Sequence, residues 1–295
     1  MVQKKTCTVV CALAAACALV LGVVAMGAAV TLTFEFTDLD PHAGQTMFLR
    51  VVDAATFVEV ARLRVPEIPA GAFQIDVSPF ETGTSYQVDY FIDGNGNGAY
   101  DVPPTDEARR FFLSDVQASG AINVVHDATL TDIDWPPFID GVVSTGEYRH
   151  TMTDVATGIS VFWQNDATIL HVGLVSPGTG WVGIGFDPDV RMQGADILIA
   201  AVVDGVLTIQ DQFGVAQTFH SPDAQQNVIQ AAGTETGGAT TVEFSLFLAS
   251  GDPSDKPLLP GQTVAVILAM QQSDDSLTVR HTARTTISIT LDGGM

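Results

Sequence analysis

From Val30 onward the chain alternates apolar and polar residues in short runs, and no stretch repeats its apolar residues with a helical period. The runs include VTLTFEF, TMFLRVV, FVEVARLRV, FQIDV and SYQVDYFID, then ISVFW, ILHVGL, WVGIGF, ILIAAVV, TVEFSLFL, TVAVILAM and TISITL. A period of two puts alternate side chains on opposite faces of a strand, so each run can bury one face against a partner sheet. Glycine, proline, aspartate and asparagine separate the runs, as turns require. The pattern predicts an all-β chain of two β-sandwich domains. The segment Asp134 to Gly141, DWPPFIDG, holds Pro136-Pro137 and is the expected boundary. It leaves an N-terminal β-sandwich over 30–134 and a second domain over 138–291, each large enough for its own core.

Ahead of these runs stands MVQKKTCTVVCALAAACALVLGVVAMGAAV. Lys4 and Lys5 precede an apolar segment that closes on Gly27, Ala28 and Ala29, the layout of a secretory signal. Residues 1–29 are read as a signal peptide, and the rest as extracytoplasmic: secreted, periplasmic or at the cell surface. The apolar segment is also long enough to span a bilayer, so a retained N-terminal anchor is an alternative. A lipoprotein site at Cys17 is a further one, disfavoured because the residues after it stay apolar. The first alternating run starts at Val30 and leaves no linker for an uncleaved helix, which favours cleavage.

Cys7, Cys11 and Cys17 all lie in that segment. The remainder can form no disulfide, thiolate metal site, cysteine nucleophile or covalent c-type haem link. Without Lys4 and Lys5, the basic count falls from 12 to 10 against 34 acidic residues, a formal charge of 10 − 34 = −24. Such a surface repels phosphate backbones and anionic headgroups, so no nucleic-acid partner is expected, nor a membrane beyond the possible anchor.

One motif stands out in the first domain, DGNGNGAYDVPPTD from Asp93. Asp93, Asn95, Asn97 and Gly98 fit the opening of an oxygen-ligand calcium loop, with Asp101 at the ninth place. The match then ends, because Pro104 stands where an EF-hand has glutamate and the preceding SYQVDYFID reads as a strand. Asp106 and Glu107 follow closely enough to close a non-helical site. Calcium held by Asp93, Asn95, Asn97, Asp101 and Asp106 is one reading; a tight Asn-Gly hairpin without metal is the other.

Enzyme motifs are missing. The sequence has no G-x-S-x-G elbow, no phosphate-binding G-x-x-x-x-G-K-[ST] and no H-E-x-x-H. Carboxylates are abundant, but their spacing singles out no acid–base pair, so the chain is expected not to be an enzyme. His281 has the most readable setting of the six histidines. In LTVRHTARTTISITL it shares a face with Leu277, Val279, Ala283, Ile287, Ile289 and Leu291, and with Thr285 as the one hydroxyl, if the strand is unbroken. An imidazole there needs a hydrogen-bond partner or a metal. A hydrogen-bonded core histidine meets that need as well as a ligand does.

Met192 ends the loop in GWVGIGFDPDVRMQGADILIA, where it either fills an irregular gap or binds something. One thioether and one imidazole, in a chain without usable cysteine, suit the two axial positions of a non-covalent haem b. Six-coordinate iron of this kind favours electron transfer, and a thioether ligand raises the potential. Gly183 and Gly185 let a flat macrocycle approach the backbone. Trp181, Phe186 and Trp163 are candidate pocket walls. His150 and His171 are alternative ligands, His220 in TFHSPD is expected at the surface, and Asp196 is expected to support the loop.

At this point the sequence resembles the DOMON domain family over about 138–291. The matching pieces are IDGVVSTGEYRH, ISVFWQNDATILHVGL, GWVGIGFDPDVRMQGADILIA, DGVLTIQDQF, TVEFSLFLASGD and HTARTTISITL, in family order. The resemblance implies a β-sandwich. In the haem-binding subset, which includes the cytochrome domain of cellobiose dehydrogenase, a methionine after the first glycine-rich strand and a late histidine ligate haem b. Those positions correspond to Met192 and His281. Other members lack haem, and some are thought to bind sugars. The resemblance therefore implies one-electron transfer with a separate redox partner protein, or else a haem-free carbohydrate- or ligand-binding surface module.

Overall fold

The computed structural model describes residues 29–294, so the expected signal segment and its cysteines lie outside the described residues, save that Ala29 opens the first strand. The N-terminal half forms β1 (Ala29–Thr37), β2 (Thr46–Asp53), β3 (Glu59–Val65), β4 (Phe73–Glu81), β5 (Tyr86–Asp93), β6 (Glu107–Leu113), β7 (Gly120–Val125) and β8 (Thr131–Asp132). They make a three-stranded sheet, β4-β1-β7, facing a five-stranded sheet, β3-β2-β5-β6-β8. Alternate residues fill the space between them: Leu32, Phe34 and Phe36 from β1 meet Met47, Leu49 and Val51 from β2 and Val88, Tyr90 and Ile92 from β5.

The C-terminal half forms β9 (His150–Thr153), β10 (Ser160–Asn165), β11 (Ile169–Pro177), β12 (Val182–Phe186), β13 (Asp196–Val203), β14 (Val206–Ala216), β15 (Phe219–Pro222), β16 (Val228–Thr236), β17 (Ala239–Phe247), β18 (Thr263–Met270) and β19 (Ala283–Thr290). A five-stranded sheet, β16-β17-β11-β10-β9, packs on a six-stranded one, β15-β14-β13-β12-β18-β19. The chain is all-β and built of sandwiches. Among the described residues, no helix is long and apolar enough to cross a membrane.

Several strands were not legible as alternating runs. In β16, VIQAAGTET, the residues are half-buried almost throughout, so neither face is wholly polar and the period of two is blurred. The C-terminal alternation also breaks: β19 begins at Ala283, and Leu277, Val279 and His281 lie in the loop before it. Trp181 explains the break, since its indole Nε1 donates to Val279 O at 3.0 Å and its own carbonyl accepts from Gln271 N at 2.9 Å. Those backbone groups are thereby held by a side chain and a turn instead of a ladder.

The segment 133–149 joins the halves. Its Ile133 and Trp135 cover Phe91 and Ala108 on the outside of the first five-stranded sheet. Its later part is fixed to the second sandwich by Glu243 of β17, which is fully buried. The Glu243 carboxylate accepts the backbone N–H groups of Asp140, Gly141 and Val142 at 3.2, 2.8 and 2.9 Å, and the Tyr148 hydroxyl at 2.8 Å. Gly141 is required there: it sits at φ +86°, and a Cβ would stand 2.8 Å from Gly233 N. Glu243→Gln offers an amide N–H to donors that need an acceptor. We expect it to cost about 1–3 kcal/mol and to lower Tm by roughly 2–4 °C per kcal/mol, as calorimetry of the two proteins would show.

Candidate functional site

The outer face of the six-stranded sheet carries a slot. Along β12, Val182, Ile184 and Phe186 point into the core, so Gly183 and Gly185 face outward. Register places Ile197 and Ile267 on either side of Gly185, and Ile199 and Ala269 on either side of Gly183. Two absent side chains between aliphatic rows leave a groove down the strand. A Cβ on Gly185 would lie 2.8 Å from Ile267 Cγ1 and 3.0 Å from Ile197 Cγ1. The groove belongs to a cavity of about 300 Å³, walled in addition by Trp181, Met192, His220 and His281. Gly185→Val fills the groove and overpacks its neighbours, at about 1–3 kcal/mol. The expected result is a lower melting temperature together with loss of any planar ligand, read by thermal melts and ligand titration.

Topology explains how Met192 and His281 come to share this cavity. Strands β12 and β18 run antiparallel, with Val182 opposite Met270 and Phe186 opposite Val266. The loop 187–195 therefore leaves one end of the slot, and the loop 271–282 leaves the other. Met192 enters from the first loop and His281 from the second. At about 3.4 Å per residue the two ends of the five-residue strand are roughly 14 Å apart, so the two side chains approach a ligand from opposite ends.

Each loop is held by named contacts. In the first, Ala195 N donates to Met192 O at 3.1 Å, Gly194 N to Gly214 O of β14 at 2.7 Å, and Gly214 N back to Ala195 O at 2.9 Å. Gly214 abuts the Met192 carbonyl so closely that no Cβ fits. Lys256 Nζ donates to Asp187 O at 2.7 Å and Asp189 Oδ1 at 2.6 Å, fastening the loop from outside. In the second, Trp181 holds Val279, and Thr282 N donates to Met270 O at 2.8 Å.

Charge is focused here as well. In a chain of net charge −22, Arg191 and Arg284 line the cavity, and Arg280 adjoins His281. Burial, then the charges of Arg284 and Arg280, push His281 below the ordinary imidazole range. Burial does the same to His220, whose Nδ1 contacts Gln212 Oε1. Neutral imidazoles keep a lone pair for a metal. A glycine-floored apolar groove, a thioether and an imidazole from opposite ends and a cationic mouth together suit a planar macrocycle bearing carboxylates.

Other expected wall residues go elsewhere. Phe186 is fully buried between the sheets, because it has the opposite parity to Gly183 and Gly185. Trp163 is also core, its Nε1 bonded to Thr290 O. His150 stacks on Trp163 and contacts Asp292, and His171 is buried on β11; neither lines the slot. His220, expected at the surface, is half-buried in the cavity wall.

A carboxylate cluster adjoins the Met192 loop. Asp196, Asp211 and Asp255 bring oxygens within 4.8 Å of one another, and Asp223, Asp252 and Asp255 do the same. Asp196 is 6 % exposed and Asp211 3 %, and one oxygen on each of the five is buried without a hydrogen-bond partner. None of the five forms an ion pair among the described residues. Burial, then the Asp211 and Asp255 charges, raises Asp196 to about 8; burial raises Asp211 to about 6. The loop at Asp93 is different. Asp93 accepts the N–H groups of Gly96 and Gly98, Asp106 those of Gly94 and Asp101, and Asn95 and Asn97 donate to Asp101. These residues converge as a turn closed by its own side chains.

Residues 156–271 match the sequence model of the DOMON domain. DBH-like monooxygenase protein 1 of Mus musculus is 38% identical over 95 residues, which is 32% of this chain and 15% of that protein. Its Homo sapiens counterpart is 36% identical over 128 residues, 43% of this chain and 21% of that protein. The chain thus spans about a fifth, or less, of the length of these curated relatives. Among solved structures, the cytochrome b domain of pyranose dehydrogenase from Coprinopsis cinerea is similar at TM-score 0.40 and 11% identity, over 48% of this chain and 80% of that one. A family 9 carbohydrate binding module from Caldicellulosiruptor kristjanssonii, in complex with glucose, is similar at TM-score 0.34 and 15% identity, over 55% and 94%.

Proposed function

We propose that this DOMON-like sandwich is an extracytoplasmic b-type haem domain that passes single electrons to and from a separate redox protein. The observation that carries the reading is the arrival of Met192 and His281 in one glycine-floored cavity from opposite ends of β12. Bound there, haem iron supplies one-electron redox chemistry. The chain's own residues do the rest. His281, kept neutral by burial and the nearby arginines, offers nitrogen, and Met192 offers sulfur. Ile197, Ile199 and Ile267 exclude water from the slot, and Arg191 and Arg284 attract the carboxylate arms. This reading needs no residue as nucleophile or general base, so we read the chain as a carrier and not an enzyme.

Orphaned buried oxygens favour a hard divalent cation such as calcium at the Asp196 cluster, more than at the Asp93 turn. We infer a structural role for it. Asp196 follows Ala195, which bonds Met192, so an ion there braces the ligand loop.

The test is a visible spectrum of the protein produced with haem available, recorded oxidised and then reduced with dithionite. A sharp Soret band with resolved α and β bands on reduction supports the proposal. A protein that stays colourless on haem titration overturns it and directs attention to glycan-binding screens.

A further inference from the structure

The first sandwich holds a cluster that electron transfer does not use. His42 ends a short 3-10 turn between β1 and β2, Glu107 opens β6, and His126 directly follows β7. One ring nitrogen of each histidine and a Glu107 oxygen all lie within 4.8 Å of one another. The imidazoles meet edge to face, with ring centroids 5.2 Å apart. Half-burial of all three keeps the group in reach of a small ion from solvent.

The far side of each ring is what makes this more than proximity. His42 Nδ1 is 2.8 Å from Gln45 Oε1, which can only accept, so Nδ1 carries the proton and Nε2 the lone pair. His126 Nδ1 is 2.8 Å from the hydroxyl of fully buried Tyr90. His126 Nε2 then faces Glu107 Oε2 at 3.5 Å. A metal-binding histidine has its second nitrogen fixed by an outer partner in this manner, which sets the tautomer and aims the ring. Here both rings have such a partner, from two different elements: Gln45 sets the tautomer of His42, and Tyr90, whose hydroxyl donates or accepts, aims the His126 ring. Arg109 opposes a cation, since its Nη2 lies 3.1 Å from Glu107, but it also pairs with Asp132.

We propose that His42, Glu107 and His126 form a binding site for a borderline divalent transition ion, of which Zn²⁺ is the type, with Gln45 and Tyr90 as positioning residues. Two imidazoles and one carboxylate suit zinc, nickel or copper and leave a position for water. The site is also a cross-link. Glu107 belongs to the five-stranded sheet, His126 follows a strand of the three-stranded sheet, and His42 lies on the connection between them. An ion there ties the two sheets at one end of the sandwich.

The test is a titration of the haem-free, chelator-treated full chain with Zn²⁺, and with Co²⁺ as a coloured probe, in saturating Ca²⁺ so that the carboxylate cluster does not compete. The expected result is one site that raises the melting temperature and gives Co²⁺ visible bands displaced by Zn²⁺. His281→Ala leaves it unchanged, whereas His42→Gln and His126→Gln abolish it. Gln45→Ala, which removes only an outer partner, weakens it about 10–100-fold and guards against a variant that merely misfolds. Absence of binding up to about 100 μM, or equal binding by the His42→Gln/His126→Gln double variant, overturns the proposal.

Discussion

His281→Ala is expected to abolish the reduced α and β bands and to weaken haem retention by at least about 100-fold. Loss of an outer-shell partner already costs 10–100-fold in metal sites, and a direct ligand should cost more. Met192→Ala should behave differently. Under the proposed ligation the imidazole would still hold the iron, but its sixth position would open, and a six-coordinate spectrum would give way to a five-coordinate one. The thioether favours reduced iron, so the potential also falls. Met192→His separates these effects, because it restores a sixth ligand while keeping the potential low. His220→Ala is the control within the same cavity: its side chain lines the wall, and Gln212 already engages its Nδ1. If His220→Ala and not His281→Ala bleaches the protein, the ligand assignment is wrong while the haem reading stands. Spectra and redox titration of the four variants decide between these outcomes.

How much of this was legible in the sequence varies with the physics. Strands with one buried and one open face, such as β18 with its strict buried and half-buried alternation, announce themselves. The half-buried β16 does not. The slot was readable in part, since two outward glycines in WVGIGF imply close approach to the backbone. The same parity argument excludes Phe186 from the slot and admits Trp181, a distinction available from the spacing alone. His281 reaches the cavity by a route that alternation could not show. Its loop is shaped by Trp181, nearly a hundred residues earlier in the chain, so the strand-face argument named the residue but misplaced its backbone. The carboxylate cluster had no sequence signature at all. Its members come from β13, β14 and two separate loops, and their spacing is ordinary for so acidic a chain. Burial alone distinguishes them.

Without a divalent ion, that burial makes the protein less stable as pH rises, the reverse of a salt-bridged carboxylate. In the unfolded chain, Asp196 and Asp211 lose their protons near the ordinary value of 3.8, whereas in the fold they retain them to about 8 and about 6. Between those limits unfolding releases protons, so stability present at low pH is lost as pH climbs from about 4 to about 8. Burial of the charged carboxylates is the main physical cause, and their mutual repulsion adds to it. Several kcal/mol are at stake, because each pH step of one between the unfolded and folded values is worth roughly 1.4 kcal/mol. Wild type in chelator should therefore melt progressively lower across this window. The difference from Asp196→Asn isolates the effect, because His171, held down to about 3 by burial, contributes the opposite slope to both proteins. Calcium should reverse the trend. At a hundredfold excess over Kd it adds about 2.7 kcal/mol, or roughly 5–10 °C for a domain of this size, and the gain should grow as pH rises toward and past about 8, where protons cease to compete. A melting temperature that rises with pH in chelator, or is indifferent to calcium in wild type, would remove the ion from the Asp196 cluster. A calcium response that survives in Asp196→Asn and vanishes in Asp93→Asn would move it to the Asp93 turn. With the ion at Asp196, chelation should also loosen the Met192 loop, so the haem spectrum and the melting curve should respond to calcium together.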